Sequence, residues 1–220
     1  MLNFNFKYLR RYSNLQLRLV SSIVIGFLFI ISIFWFQYLF FLLLVIIVQG
    51  MFEEWLDIGK TELLLLPGVI LIFVSGFSLF VGSVVFDKLV IFTYFIIIWV
   101  TDCFAFVGGK ILKGPKLVPK ISPQKTWSGS FCGIIFSNSV ACFINYISSY
   151  KIFKNTTTMV LISLLISILA QVSDLTVSLF KRRAYVKESG SSIPGHGGYL
   201  DRFDSLLFTA PLILLYKIFL

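Results

Sequence analysis

Residues 19–52 read LVSSIVIGFLFIISIFWFQYLFFLLLVIIVQGMF, and none of these 34 positions carries a charged side chain. One helix of this length would measure about 50 Å at about 1.5 Å per residue, whereas the hydrocarbon core of a bilayer is about 30 Å thick. We therefore predict two short transmembrane helices with a tight turn near Trp35–Tyr38. The run is too long for the apolar region of a signal peptide and lacks a small-x-small cleavage site, so we expect the chain to retain it.

The composition of the whole chain extends this prediction from one segment to the protein. Hydrophobic residues make up 58% of the 220 residues and charged residues only 13%, whereas charged residues make up about a quarter of a soluble domain. Because so few charges cannot cover a water-facing surface, lipid must cover much of the exterior. We predict an all-α, polytopic integral membrane protein, which excludes a secreted disulfide scaffold, a disordered chain and a freely soluble enzyme.

Further apolar stretches bring the predicted number of transmembrane helices to about seven. The additional predicted helices are Leu63–Val85, Leu89–Val107, Ser128–Tyr150, Thr157–Phe180 and Asp204–Leu220. The chain shows no internal repeat, so we predict a bundle without internal symmetry.

The distribution of Lys and Arg residues predicts the orientation of these helices. With the N-terminus in the cytoplasm, the inner segments are 1–18, 51–62, 108–127 and 181–203, and they hold 15 of the 19 cations. The other four cations are Lys88, Lys151, Lys154 and Lys217. An excess of cations on one side is typical of cytoplasmic loops. We therefore expect seven helices with a cytoplasmic N-terminus.

Two of the inner segments are polar, basic and rich in glycine or proline. They are GGKILKGPKLVPKISPQKTWSG at 108–129 and KRRAYVKESGSSIPGHGGYLDRFD at 181–204. An ordinary topology loop, with some attraction for anionic lipid, explains the first segment about as well as a functional site does. The second segment fits that interpretation poorly, because it also contains three acids and a Gly-His-Gly-Gly core at 195–198.

Two more acids, Asp102 and Asp174, lie near the inner ends of otherwise apolar helices. An ionised carboxylate costs about 2.5–3.5 kcal/mol at the centre of a membrane helix, so each acid needs a polar partner. Either each forms a salt bridge with a nearby lysine, or both converge with Asp201 and Asp204 in a polar cavity that opens to the cytoplasmic side. Asp201 and Asp204 are three residues apart and point the same way if Leu200–Asp204 begins the last helix.

The residue types around this predicted cavity favour a site that handles phosphate. Carboxylate oxygens without thiols suit a hard cation such as Mg²⁺. Lysines and arginines neutralise phosphate charge, and a Gly-rich loop lets backbone N–H groups approach phosphate oxygens closely. The residues alone do not specify the reaction.

The polar C-terminal segment contains a long motif. It reads Ser178-x-Phe180-Lys181-Arg182, then Lys187-Glu188-Ser189, then Ile193-Pro194-Gly195-His196-Gly197-Gly198-x-x-Asp201-Arg202-Phe203-Asp204-Ser205. Upstream are Trp99-x-x-Asp102-x-x-Ala105 and Ser122-Pro123-x-Lys125-Thr126-Trp127-x-Gly129. This pattern, which covers about residues 95–210, resembles the signature of the phosphatidate cytidylyltransferases, the CDP-diacylglycerol synthases.

The resemblance implies an Mg²⁺-dependent nucleotidyltransferase of phospholipid biosynthesis, which makes CDP-diacylglycerol and pyrophosphate from CTP and phosphatidate and allows a second cation. It divides the chain into N-terminal membrane helices, 1–90, and a catalytic membrane domain, 91–220, with cytoplasmic loops 108–127 and 181–203. Asp174 and Asp201 would hold the metal. The other catalytic candidates are Lys181, Arg182, His196 and Asp204, and the substrate-binding candidates are Ser122, Lys125, Ser178, Lys187, Gly195, Gly197, Gly198 and Arg202.

Charge and position give these candidates hypothetical roles. The cations would neutralise phosphate charge, and the glycines would let the backbone close over the nucleotide. His196 would donate a hydrogen bond to pyrophosphate or orient Asp201. Asp204 would orient Arg202 or a metal-bound water, or it would simply cap a helix.

Several positions depart from the family pattern. Glu188 replaces the usual Asp, Tyr199 replaces an aliphatic residue, and Ser173 replaces Gly. The run Asp-Cys-Phe-Ala-Phe at 102–106 replaces Asp-Ser/Thr-Gly-Ala-Tyr. Glu188 keeps the negative charge but is one methylene longer, so a role as metal ligand is not transferred to it.

Two alternatives belong to other classes of membrane protein. A CTP-dependent polyprenol or phytol kinase would need a group that activates a hydroxyl, whereas phosphatidate is already ionised. A transporter would need acids toward the outer side as well, whereas the membrane acids lie at inner helix ends. We expect a multi-pass protein of the bacterial inner membrane. Its expected partners are CTP, phosphatidate and membrane lipid, the family suggests a homodimer, and no nucleic acid is expected.

Overall fold

The computed structural model describes residues 14–59, 65–149, 152–153, 155–193 and 197–215. Most of these residues are helical, and a short β-hairpin lies between the fourth and fifth helices. The elements are α1 (Asn14–Phe34), α2 (Gln37–Ile58), α3 (Leu65–Val85), α4 (Lys88–Leu112), β1 (Lys116–Val118), β2 (Ser122–Thr126), α5 (Trp127–Ile147), α6 (Thr156–Arg183), α7 (Leu200–Phe203), α8 (Leu206–Thr209) and α9 (Pro211–Leu215).

The long helices agree with the prediction of a multi-pass membrane protein. Within the described ranges, five helices, α2 to α6, are long and apolar enough to cross a membrane. The predicted turn near Trp35–Tyr38 is confirmed, because α1 ends at Phe34 and α2 begins at Gln37. The predicted Leu89–Val107 was too short, since α4 continues to Leu112.

The prediction of one continuous helix over Asp204–Leu220 is wrong within the described residues. That region is divided into α7, α8 and α9, and residues 216–220 lie outside the description. One cause is Pro211, which has no N–H to donate to the carbonyl four residues earlier. That carbonyl belongs to Leu207. The hydroxyl of Ser75 on α3 lies 2.9 Å from it and can donate to it or to the carbonyl of Leu71 on its own helix, at 2.6 Å.

The predicted all-α class needs one addition, because the polar segment 108–127 contains a β-hairpin. β1 pairs with β2 in antiparallel register, Lys116 opposite Thr126 and Val118 opposite Ser122. The backbone N–H of Trp127 donates to the carbonyl of Pro115 and closes the hairpin. Thr126 then caps α5, since its hydroxyl accepts a hydrogen bond from the N–H of Gly129 at 3.1 Å.

Two glycines on α5 allow it to pack closely against α4. A Cβ atom on Gly129 would lie 2.3 Å from the carbonyl oxygen of Ala105, and one on Gly133 would lie 2.7 Å from that of Thr101. Small residues four apart let the backbones of two membrane helices approach closely. The sequence analysis did not single out this pair, whose contact holds Asp102 of α4 beside the start of α5.

The helices alternate in direction and bring the polar segments to one end of the bundle. At this end, called the site end below, the indole N–H of Trp55 near the end of α2 donates to the carbonyl of Leu65 at the start of α3. At the opposite end, the Nζ atom of Lys88 at the start of α4 donates to the carbonyl of Phe34 at the end of α1. The site end therefore gathers the hairpin, the end of α6 and the segment that leads to α7.

Candidate active site

A polar cavity of about 800 Å³ opens at the site end. Ligand pockets in proteins commonly measure about 300–1,000 Å³, so the space suits a molecule as large as a nucleotide. Among the described lining residues, eight are basic and five are acidic. They are Lys110, Lys113, Lys116, Lys125, Lys181, Arg182, Lys187 and Arg202, with Asp102, Asp174, Glu188, Asp201 and Asp204.

The structure brings most of the predicted site residues together around this cavity. Convergence of the four aspartates was one of the two alternatives left open by the sequence, and Asp102, Asp174, Asp201 and Asp204 all line this cavity. So do Ser122, Lys125, Lys181, Arg182, Lys187 and Arg202. The predicted glycine and histidine candidates either do not line the cavity or lie outside the described residues. Gly197 and Gly198 adjoin Asp201 on the side of the preceding loop, and Gly195 and His196 are not described.

Asp174 and Lys125 form an ion pair across the cavity. Asp174 lies on α6, and Lys125 lies on β2, next to the residue that caps α5. Both side chains are about a quarter exposed, at 28% each. The hydroxyl of Ser178, one turn later on α6, donates to Oδ1 of Asp174 at 3.3 Å. Ser178 therefore orients this carboxylate.

Asp201 and Lys181 form a second ion pair, which is more deeply buried. The Nζ atom of Lys181 donates to Oδ1 of Asp201 at 2.5 Å, while the backbone N–H groups of Ser189 and Gly198 donate to Oδ2 at 2.8 and 3.1 Å. Burial favours the neutral acid, but the ammonium group and the two N–H donors outweigh it, so the pKa of Asp201 lies below its ordinary value. Asp201 thus joins the end of α6 to the loop before α7.

Asp102 and Asp204 complete the acidic floor of the cavity. Asp204 is buried, with 7% exposure, and its Oδ1 accepts the N–H of Ser205 at 2.8 Å. The hydroxyl of Ser205 lies 3.4 Å from Oδ2 of Asp102. Both carboxylates interact electrostatically with Asp174 and with Lys125. Lys125 therefore attracts three carboxylates, those of Asp102, Asp174 and Asp204.

The oxygen atoms of the floor fit the chemistry of a hard cation that is bound together with a phosphate substrate. In the described part of the chain, no three His, Cys, Asp or Glu residues lie close enough to hold a metal ion. Mg²⁺ commonly takes only one or two carboxylates and completes its shell with water and substrate phosphates. Asp174, with Asp102 and Asp204 as its neighbours, can supply such ligands.

Glu54 on α2 is a polar residue near the site that the sequence analysis missed. It is buried, with 6% exposure, and it accepts hydrogen bonds from the segment between α6 and α7. The available signal was its position, since Glu53 and Glu54 end an uncharged run of 34 residues. Two acids at the end of a membrane helix are usually attributed to solvent contact, and the sequence does not reveal the partners of Glu54.

The departures from the family pattern have local structural counterparts. The hydroxyl of Ser173, fully buried on α6, donates to the backbone carbonyl of Asp204 at 2.5 Å. The ring of Tyr199 lies over Gly50 on α2, where a Cβ atom would come within 2.3 Å of it. Glu188 lines the cavity and is exposed. Ser173 and Tyr199 therefore help to fix the start of the C-terminal segment.

Comparison with known proteins agrees with this architecture. The sequence model of the cytidylyltransferase family matches residues 60–219. A phosphatidate cytidylyltransferase of Rickettsia bellii is 44% identical over 207 residues, which cover 91% of this chain and 90% of that protein. One from Rickettsia typhi is 41% identical over 213 residues, or 94% of this chain and 93% of that protein. One from Staphylococcus haemolyticus is 40% identical over 119 residues, or 54% of this chain and 45% of that protein.

The family match includes both ion pairs of the cavity, the hairpin and the segment between α6 and α7. The Rickettsia relatives extend the likeness to the N-terminal helices, since the aligned regions cover more than nine tenths of this chain. On these matches, the chain belongs to the cytidylyltransferase family.

Proposed function

We propose that this protein is a phosphatidate cytidylyltransferase, which joins CTP and phosphatidate to give CDP-diacylglycerol and pyrophosphate. The observation that carries the proposal is the cavity itself, where lysines, arginines and aspartates meet at one end of a bundle of apolar helices. The relatives that bear this name are 40–44% identical to the chain. A lipid substrate needs apolar surroundings for its acyl chains and a polar site for its headgroup, and the two adjoin here.

The cations of the cavity are suited to binding the phosphates of both substrates. Lys187 comes from the segment between α6 and α7 and Arg202 from α7, while Lys125 comes from the hairpin. Positive groups from these elements neutralise a triphosphate and a lipid phosphate that must approach each other despite their like charge. Arg182 is held in place by donating to the carbonyls of Ile121 and Val186, both at 3.2 Å.

The reaction exchanges one phosphorus–oxygen bond for another. A phosphate oxygen of phosphatidate attacks the α-phosphorus of CTP, and the bond to the β-phosphate oxygen breaks, so pyrophosphate leaves with that electron pair. The attacking oxygen is already anionic, so no strong general base is required. The chain's contribution is to position the two phosphates in line and to neutralise charge on the leaving group.

We propose that Asp174 and Asp201 hold Mg²⁺, with Asp204 and Asp102 beside the site and room for a second cation. A bound Mg²⁺ would supply positive charge that neutralises the substrate phosphates. The supporting observation is that all four aspartates line one cavity, where their carboxylate oxygens are the kind of ligand that Mg²⁺ prefers. Lys125 and Lys181, which pair with Asp174 and Asp201 in this structure, are placed to bind substrate phosphate.

We further propose seven transmembrane segments, with α1 and the segment from Asp204 onward, which contains α8 and α9, added to α2 to α6. We place them in the bacterial inner membrane, with the N-terminus and the cavity on the cytoplasmic side. The supporting observation is the distribution of cations. In the part of the chain that the structure describes, Lys88 lies at the opposite end, while the cations of 108–127 and 181–203 lie at the site end. The homodimer suggested by the family remains a prediction that a mass measurement in detergent would test.

The experiment that tests the proposed reaction compares nucleotide products and acceptors. The purified protein in detergent is given CTP with phosphatidate, with a polyprenol, or with neither, and pyrophosphate and CDP are measured. Pyrophosphate release that requires phosphatidate is the expected result. CDP release with the alcohol would instead indicate a lipid kinase. Ion flux across vesicles that contain the protein, without any nucleotide turnover, would indicate a transporter.

A further inference from the structure

Glu54 makes an unusually complete set of contacts for a buried carboxylate. Oε1 accepts hydrogen bonds from the hydroxyl of Ser192 and the backbone N–H of Tyr199, both at 2.9 Å. Oε2 accepts them from the hydroxyl of Ser189 at 2.7 Å and the backbone N–H of Leu200 at 2.9 Å. A carboxylate has about four acceptor positions on its two oxygens, so the described donors satisfy it.

All of these donors belong to one segment, the positioning loop, defined here as the described residues 187–193 and 197–202. Ser189 and Ser192 come early in the loop, and Tyr199 and Leu200 come at its end, where α7 begins. Glu54 lies on α2, at least 135 residues earlier in the chain. One side chain therefore joins the two halves of the loop to each other and to the membrane bundle.

The loop approaches Glu54 so closely that a Cβ atom at either of two glycine positions would displace the carboxylate. A Cβ atom on Gly198 would lie 2.1 Å from Oε2 of Glu54, and one on Gly190 would lie 2.8 Å from Oε1. Both distances are below any real contact of a Cβ atom. The glycines of this motif thus serve the approach to Glu54, in addition to any approach to a nucleotide.

The other side of the loop faces the cavity. Lys187, Asp201 and Arg202 line the cavity, whereas Glu54 is not among its described lining residues. Asp201, which belongs to the loop itself, accepts the N–H groups of Ser189 and Gly198, so it also joins the early part of the loop to its end. A shift of the loop away from Glu54 would move these three cavity side chains.

We propose that Glu54 is the positioning residue of the site: it fixes the loop so that Lys187, Asp201 and Arg202 face the substrates. This inference rests on the proposed function and adds to it a residue that lies outside the matched family region of 60–219. Glu54 acts through the loop and touches no substrate. Saturating substrate does not restore its contacts, so its loss is expected to lower kcat.

Glu54→Gln is the direct test, because it keeps the size of the side chain and replaces one acceptor oxygen by an NH₂ donor. Serine hydroxyls can turn to accept from that NH₂ group, but a backbone N–H cannot, so either orientation leaves Tyr199 or Leu200 without its acceptor. Because one of these two backbone N–H groups then loses its acceptor and the loop is less firmly placed, we expect kcat per folded molecule to fall about tenfold or more.

Two variants serve as matched controls. Glu53→Gln makes the same change at the adjacent, exposed position, where the described contact is the side chain of Gln49 at 2.7 Å. Asn145→Ala removes a buried side chain that bonds the N–H and carbonyl of Phe153 at the far end of α5. Glu53→Gln should leave kcat unchanged, and Asn145→Ala should lower thermal stability without lowering kcat per folded molecule.

Hydrogen exchange gives a readout that does not depend on activity. In Glu54→Gln the amides of the positioning loop should exchange faster, while those of α5 and the middle of α6 should keep wild-type rates. Wild-type kcat together with wild-type exchange in this loop would overturn the proposal. Lower stability of Glu54→Gln with unchanged kcat, which is the result expected for Asn145→Ala, would also overturn the proposal.

Two further cases need their own comparison: a Glu54→Gln variant that does not fold, and a wild-type protein that shows no activity. If Glu54→Gln does not fold, the double variant Ser189→Ala/Ser192→Ala removes only the hydroxyl donors, and it should show a smaller loss of kcat and faster exchange of the loop. Wild-type values for both in the double variant would overturn the proposal. If the wild-type protein forms no CDP-diacylglycerol, the proposed reaction fails, while the exchange comparison still decides the positioning role.

Discussion

The Nζ atom of Lys181 lies 2.5 Å from Oδ1 of Asp201, and these side chains are only 10% and 8% exposed. Lys181 is in the last turn of α6 and Asp201 is in the first turn of α7. The pair therefore closes the loop between the two helices at the cavity wall. A buried ion pair stabilises a fold only while both partners are present, because either charge alone is poorly solvated.

Removing one partner of this pair should harm both stability and turnover. For Lys181→Met we expect a loss of up to about 3 kcal/mol in the free energy of unfolding, since Asp201 keeps two N–H donors but loses its cation. The apparent melting temperature in detergent measures this loss. The double variant Lys181→Met/Asp201→Asn, which removes the charge but keeps an acceptor oxygen for the N–H groups of Ser189 and Gly198, should be more stable than Lys181→Met alone. Equal or lower stability of this double variant would contradict the account.

The same pair predicts a pH dependence of stability. The pKa of Asp201 is lower in the folded protein than its ordinary value, which is about 3.9 in an unfolded chain. Its contribution to stability is therefore fully present above that value and is lost as the pH falls through the lower, folded value. The difference in melting temperature between wild type and Asp201→Asn should be constant near neutral pH and should shrink in acid. A difference that grows in acid would contradict the assignment.

Gly50 and Tyr199 should behave as a coupled pair. A Cβ atom on Gly50 would lie 2.3 Å from the Tyr199 ring, so Gly50→Ala should cost about 1–3 kcal/mol of stability by overpacking. The cost should fall sharply in a Tyr199→Ala background, where the ring is absent. Gly26→Ala is the control, because nothing lies within 4 Å of a Cβ atom there. Equal costs of Gly50→Ala in both backgrounds would refute the contact.

Ser75 and Pro211 should also be coupled, through the Leu207 carbonyl. Ser75→Ala removes the hydroxyl that lies 2.9 Å from this carbonyl and can donate to it, and leaving a buried acceptor without a partner costs about 1–3 kcal/mol. In a Pro211→Ala background the new N–H can donate in its place, so Ser75→Ala should cost less. The four melting temperatures of this cycle test the interpretation, and strictly additive costs would show that the carbonyl is not the link.

The parts of the fold that depend on local composition were predictable from the sequence. The turn after Phe34 follows from the length of an apolar run against the thickness of a bilayer. The need of Asp102 and Asp174 for a polar partner follows from the cost of a charge at a membrane helix end, although the sequence left open whether that partner is a lysine or a shared cavity. Both inferences depend on quantities that one segment carries by itself, and the structure places the turn as predicted.

The parts that depend on partners distant in the chain were not predictable. Glu54 is informative only because its four donors come from 189–200. The division of the last helix depends on Pro211 and on a hydroxyl that α3 supplies. The choice between a salt bridge and a shared cavity for Asp174 was also open in the sequence, and the structure shows both together, since its lysine partner lines the same cavity.

The most direct test of the central claim is the formation of CDP-diacylglycerol from CTP labelled at the α-phosphorus and phosphatidate by the purified protein, with Mg²⁺ and then with EDTA. The account predicts labelled lipid only when phosphatidate and Mg²⁺ are both present. It also predicts a rate at least about a hundredfold lower in Asp174→Asn and an unchanged rate in Asp87→Asn, an exposed acid at the opposite end of the bundle. No labelled lipid from folded wild-type protein, or a normal rate in Asp174→Asn, would contradict it.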